Sequence, residues 1–129
     1  MINENIKMKN YNKRIDISER FLDFGVNIIG VVSKLNNNQV SNHITNQLMR
    51  SATSAGANYE EACGAESKKD FIHKMQLVLK ELRETLFWLK LLKKSKLISV
   101  KNINEVLIEA DELVKFIAKS LITAKKKIK

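Results

Sequence analysis

The sequence predicts an all-α protein, an up-down-up-down antiparallel four-helix bundle. Three observations carry this. The 129 residues include no proline and only four glycines, so little interrupts a helix. Apolar residues recur at steps of three and four in four separate stretches, which places each set on one helical stripe. Short polar segments join the stretches, and short links make sequential helices antiparallel.

Residues 1–15 are polar and basic, with Lys7, Lys9, Lys13 and Arg14, and are predicted to be a flexible lead-in to a single domain over residues 16–129. The first helix is expected to begin after Asp16, which with Glu19 makes a capping-box pattern. Its stripe is Phe21, Phe24 or Gly25, Ile28, Val31 or Val32, and Leu35. Asn36, Asn37 and Asn38 mark a loop. A second helix is predicted from Ser41 or Asn42 to about Cys63, with the stripe Ile44, Leu48, Ala52, Ala55, Tyr59, Ala62. Gly64 is expected to stop it, because glycine tolerates a left-handed backbone. Ser67 followed by Asp70 is a capping pattern that opens a third helix over about Lys68 to Lys94, with the stripe Phe71, Met75, Val78, Leu82, Leu86, Leu89, Leu92. A turn at residues 95–98 leads to Ser99, an expected N-cap. The fourth helix carries Ile103, Val106 or Leu107, Ala110, Leu113 or Val114, Ile117, Leu121, Ala124 and Ile128.

The formal net charge is +9, unevenly placed. Residues 71–98 hold seven basic and two acidic side chains, while residues 41–70 hold three and four. Four lysines fall within residues 125–129. A basic chain of this size suits a polyanion, although a lysine-rich surface also serves solubility. The single cysteine, Cys63, excludes an intrachain disulfide and a cysteine-based zinc site. It fits a reducing cytoplasm. No segment approaches the length of a membrane span, so a cytoplasmic protein without membrane contact is expected.

Chemistry-bearing patterns are sparse. A di-iron bundle needs two Glu-x-x-His pairs, and the one near match is Asp70-x-x-His73. His43 lies at the other end of the hairpin. No arginine is closely followed by histidine, as in small helical ribonucleases, and no glycine loop cradles phosphate. No catalytic residue, metal or cofactor is therefore assigned, and an enzyme is not expected. Antiparallel pairing about the turn sets Arg50 against Glu81 and Glu84, Asn58 against His73 and Lys74, and Glu61 near Asp70. Arg50, Asn58, Glu61, Glu81 and Glu84 are read as a structural polar network that fixes helix register.

Two features point outward. The small residues 51–57 let another helix approach, either inside the bundle or at a subunit contact. Apolar residues also exceed one stripe per helix: Ile29 beside Ile28, Leu77 and Leu79 flanking Val78, and Phe87 with Trp88. This surplus predicts an oligomer.

Arg50-Ser51-Ala52, Ser54, Asn58-Tyr59, Glu61-Ala62, Ala65-Glu66-Ser67, Asp70-Phe71-Ile72, Lys74, Lys80-Glu81, Glu84 and Trp88-Leu89 together resemble a bacterial family. Its members are four-helix-bundle proteins linked to intervening sequences in large-subunit ribosomal RNA genes. The resemblance covers residues 17–120 in layout and is specific over 50–92. It implies an up-down bundle and assembly into a pentameric ring. A related branch, the accessory protein of diversity-generating retroelements, is basic and works with a reverse transcriptase and nucleic acid. The resemblance implies no activity and no catalytic residues.

The expectation is thus a non-enzymatic homo-oligomer, a pentamer, that binds RNA or DNA through lysines. Lys90, Lys93, Lys94 and Lys96 gather at one end of the bundle. Lys125, Lys126, Lys127 and Lys129 gather at the other. Aromatic residues are too few to suggest a base-stacking platform. The alternative is a protein-interaction scaffold, or an accessory protein acting with a reverse transcriptase.

Overall fold

The computed structural model describes the backbone of residues 2–128 and the side chains of residues 16–126 apart from 100 and 102. Four helices follow in order: α1 (Ile2–Val32), α2 (Gln39–Cys63), α3 (Lys68–Ser95) and α4 (Val100–Ile128). α1 packs on α2 and α4, and α3 packs on α2 and α4, so α1 and α3 stand diagonally across the bundle. The four-helix bundle read from the sequence is the fold observed.

Local chemistry sets the ends. The Asn38 side chain accepts a bond of 2.9 Å from the Ser41 backbone N–H, so α2 starts at Gln39, slightly before the expected Ser41. The Ser67 hydroxyl accepts from the Asp70 N–H at 3.0 Å and opens α3. α4 begins directly after Ser99. α1 differs from expectation. It starts at Ile2, so Asp16 and Glu19 lie inside a continuous helix rather than at its cap. Neither glycine nor proline lies between Ile2 and Asp16, so nothing in that stretch breaks the helix.

The α2 stop also differs. Gly64 has φ −95°, not a left-handed value. Its N–H bonds to the carbonyls of Glu60 and Glu61, and the Ala65 N–H bonds to Ala62, a tightened last turn that needs no special backbone. The left-handed residue is instead Lys96, the C-cap of α3, at φ 61°.

The core follows the predicted stripes. Phe24, Ile28, Leu48, Met75, Leu82, Leu89, Leu92, Ile103, Leu113 and Ile117 are fully buried. Phe21 stacks on Tyr59 with ring centroids 5.1 Å apart. Two hydroxyls are buried with the hydrocarbon: Ser51 and Thr85 share a hydrogen bond of 2.9 Å between α2 and α3. Ser51 donates to the Leu48 carbonyl of its own helix, and the single Thr85 proton is shared between Ser51 Oγ and the Glu81 carbonyl. No buried side-chain polar atom among the described residues lacks a partner.

The small-residue segment packs inside the bundle, the first of its two expected roles. Ser51, Ala52 and Ala55 are buried, whereas Thr53 and Ala57 are exposed on the outer side of α2. The surplus apolar residues divide as well. Leu77 and Leu79 are half-buried and Leu79 packs on the core, so they widen a single stripe. Ile29 and Phe87 remain exposed.

Replacing Leu82 by Ala is expected to lower stability by about 2–5 kcal/mol, because the cavity forms where no side chain can collapse into it. Replacing Ile122, on the outside of α4, should change stability by no more than ~0.5 kcal/mol. Urea denaturation of both variants checks this.

Candidate nucleic-acid interface

The up-down order brings the 33–38 loop, the start of α2, the end of α3 and the start of α4 to one end of the bundle. Residues 33–43 and 86–105 contribute Lys34, Lys90, Lys93, Lys94, Lys96 and Lys101 against one carboxylate, the exposed Glu105, which lies five residues into α4 as Lys90 lies five before the end of α3. All six lysines are exposed. Asn36, Asn37, Asn38 and Asn42 are exposed among them. This end is a compact cationic surface with neutral hydrogen-bonding groups between the charges.

Two local facts bear on how these lysines arose. Lys93 and Lys94 lie in the last turn of α3, where cations favour the exposed carbonyls without any ligand. Lys96, the C-cap, stands in the same field and also carries a left-handed backbone. A left-handed backbone costs a non-glycine residue about 1–2 kcal/mol, and glycine would serve the cap better. A cation stands there against the conformational preference.

The opposite end is mixed. The end of α4 places exposed Lys125 and Lys126 there, together with Lys68 and Lys69. The α2–α3 turn adds Glu60, Glu61, Glu66 and Asp70. Lys129 and the Lys127 side chain lie outside the described residues. The two groups of expected binding lysines therefore stand in unlike surroundings, one with a single nearby acid, Glu105, and one among several.

The polar residues of the hairpin fall into three separate arrangements. Arg50 reaches Glu81 at 3.1 Å and also bonds Glu84. The Trp88 indole N–H donates to the same Glu84 carboxylate at 3.1 Å. Glu61 pairs with Lys74 at 3.2 Å rather than lying against Asp70. The Asn58 amide bonds within its own helix, to the carbonyl and hydroxyl of Ser54. Trp88 also meets His43 edge-on at 5.8 Å and Phe87 at 5.0 Å, beside an open recess lined by Val40, Asn46 and Leu91.

Sequence reasoning missed one ion cluster. Arg20 of α1 bonds both Glu109 (2.5 and 3.0 Å) and Glu112 (2.8 Å) of α4. The bond to Glu109 chiefly holds the guanidinium charged, with its pKa raised. No group of three or more potential metal ligands occurs among the described residues. No described helix is long and apolar enough to cross a membrane.

Fold and charge define a small basic helical bundle. The sequence model of the 23S rRNA-intervening sequence proteins matches residues 13–119, and the chain belongs to that family. It is similar to a crystal structure from Bacteroides thetaiotaomicron, described as a protein of unknown function from the S23 ribosomal protein family. The two are 33% identical, the match covers 81% of this chain and 97% of the other, and the TM-score is 0.75. No curated protein matches the sequence.

The Arg50 bond, and secondarily that of Trp88, hold the Glu84 carboxyl below its ordinary pKa. A depressed carboxyl adds stability above its unfolded pKa, about 4.3, and that stability is lost as pH falls through the lower folded value. Glu84→Gln should therefore be slightly less stable near neutral pH, by under about 1 kcal/mol for so exposed a pair. The difference from the parent should shrink in acid. Urea denaturation at pH values from about 2 to about 7 reads this.

Proposed function

We propose that this protein is a non-enzymatic homo-oligomer that binds RNA or DNA through the lysine-covered end of its bundle. The observation that carries the reading is the cluster of six exposed lysines against a single nearby carboxylate, Glu105. Such a surface contacts phosphates, and phosphate contacts give affinity without base information. Lys125 and Lys126 are a secondary contact, offset by the acids of the α2–α3 turn. Assembly is supported by exposed Leu22, Val26, Ile29 and Phe87, which find no partner within the chain's own core. Family kinship favours a pentamer. A ring repeats the lysine end in every subunit, so weak single contacts gain avidity. The sole cysteine fits a reducing, cytoplasmic setting.

Binding to single- and double-stranded RNA and DNA should be measured from low salt to about 150 mM, where the screening length is about 8 Å. Affinity is expected to fall linearly on a log–log plot, with a slope set by the phosphates neutralised. Replacing Lys93, Lys94 and Lys96 together by Gln should flatten the slope and weaken all sequences alike. Retention of full affinity would defeat the assignment to this end. No binding at about 150 mM would put a protein scaffold first, including one that serves a reverse transcriptase.

Lys96→Gly separates function from folding by sign. It should raise stability by about 1 kcal/mol, because glycine is at ease in the left-handed cap, and it should weaken binding. Thermal melts paired with binding curves check both halves.

A further inference from the structure

Two unpartnered apolar surfaces lie on different sides of the bundle. The first is a groove of about 390 Å³ between α1 and α2, floored by Phe21, Gly56 and Ala52. Its outer wall is Leu22, Val26 and Ile29, which are 63, 64 and 52% exposed. These three recur at helical steps of four and three, so they form one stripe along α1. Its rim is acidic, with exposed Glu19 and Asp23 beside the stripe and Glu60 in the lining. Arg20, the only basic residue in 16–33, is turned to α4 by its bonds to Glu109 and Glu112. The second surface is a ridge on α3. Phe87 is 57% exposed and Leu91 39%. They are flanked by exposed Lys80, Arg83 and Lys90. The ridge borders the α2–α3 side, since Phe87 touches Trp88 and Trp88 touches His43 of α2.

We infer that the Phe87–Leu91 ridge of one copy seats in the Leu22–Val26–Ile29 groove of the next, head to tail. This rests on the reading that the chain self-assembles and adds which faces meet. Three observations select a second copy as the occupant. The apolar surfaces are complementary in form, a convex aromatic and leucine opposite a groove floored by Gly56 and Ala52. Their rims are opposite in charge, cationic on the ridge and anionic on the groove, which favours this pairing and disfavours groove on groove or ridge on ridge.

The third observation is level. α1 and α3 end at the same end of the bundle, at Val32 and Ser95. Ile29 lies three residues before its helix end and Leu91 four. Val26 lies six before and Phe87 eight, and Glu19 lies thirteen before and Lys80 fifteen. At about 1.5 Å per residue, these three pairs each differ by no more than about 3 Å in distance from the helix ends. Copies therefore pair without sliding along the bundle axis. The two faces look out from adjoining sides, so each step turns, and a level, turning, head-to-tail contact closes into a ring rather than a filament. The ring places every lysine end on one rim. Lys93 and Lys96 stand above the contact and stay open to a polyanion.

The test uses the full chain. Val26→Asp and Phe87→Asp should each shift the light-scattering mass from oligomer to monomer with the helical circular dichroism unchanged, since both side chains are exposed. For direct pairing, Val26→Cys and Phe87→Cys are placed together in one chain carrying Cys63→Ser and oxidised. A ladder of disulfide-linked multimers is expected. Neither cysteine alone should give linked dimers. A wild-type monomer at micromolar concentration would defeat self-assembly itself. An oligomer that survives both Asp variants would leave self-assembly standing and overturn this pairing. Crosslinked dimers from either single cysteine would likewise overturn it, because they require like faces to meet.

Discussion

The fit of α2 against α3 positions the rest of the molecule. Ser51 brings no bulk to the contact, so its hydroxyl reaches Thr85 at 2.9 Å across the helices. Both groups remain satisfied by carbonyls of their own helices, so burying them leaves no orphaned donor. On the outer side of the same contact, Arg50 spans Glu81 and Glu84, and Trp88 closes onto Glu84. A slip of one residue would turn Thr85 out of the core and separate Arg50 from its carboxylates. Register here sets the height of Phe87 and the lysines at the end of α3. These ion pairs contribute little net energy at the surface. Their value lies in penalising the wrong alignment.

What was legible in the sequence was local. Ser67 is a capping residue whose partner Asp70 sits three positions on, and a reader of the chain can see both at once, whereas Asn38, which caps α2 in the same way, reads in the chain only as part of an asparagine loop. The α2–α3 hairpin was legible because its turn is short, so Arg50 opposite Glu81 follows from counting. The start of α1 was misplaced because Asp16 and Glu19 imitate a cap, and nothing in the chain says that a helix already runs through them. Gly64 was misread for a related reason. Glycine permits a left-handed turn but does not compel one, and bonds to the Glu60 and Glu61 carbonyls ended the helix without it.

Arg20 shows the other limit. Its partners Glu109 and Glu112 lie at the far end of the sequence, and no short turn fixes α1 against α4. Many carboxylates were equally available on paper. Charge placement at the bundle ends was half legible. The lysines of α3 were visible as a run. That Lys34 and Lys101 join them, and that Glu105 alone among the acids does, depends on which loops the topology brings together.

The cationic end has a kinetic consequence. In an up-down bundle the helix dipoles alternate and nearly cancel. Among the described residues, the electrical polarity therefore comes from side chains, with lysines in large excess at one end and mixed signs at the other. A body so polarised turns in the field of a polyanion before touching it, so collisions arrive lysine end first. Orientation of this kind raises the rate of encounter more than the lifetime of the complex. It also fades with added salt before short-range contacts do, because it acts across solvent at distances that mobile ions screen.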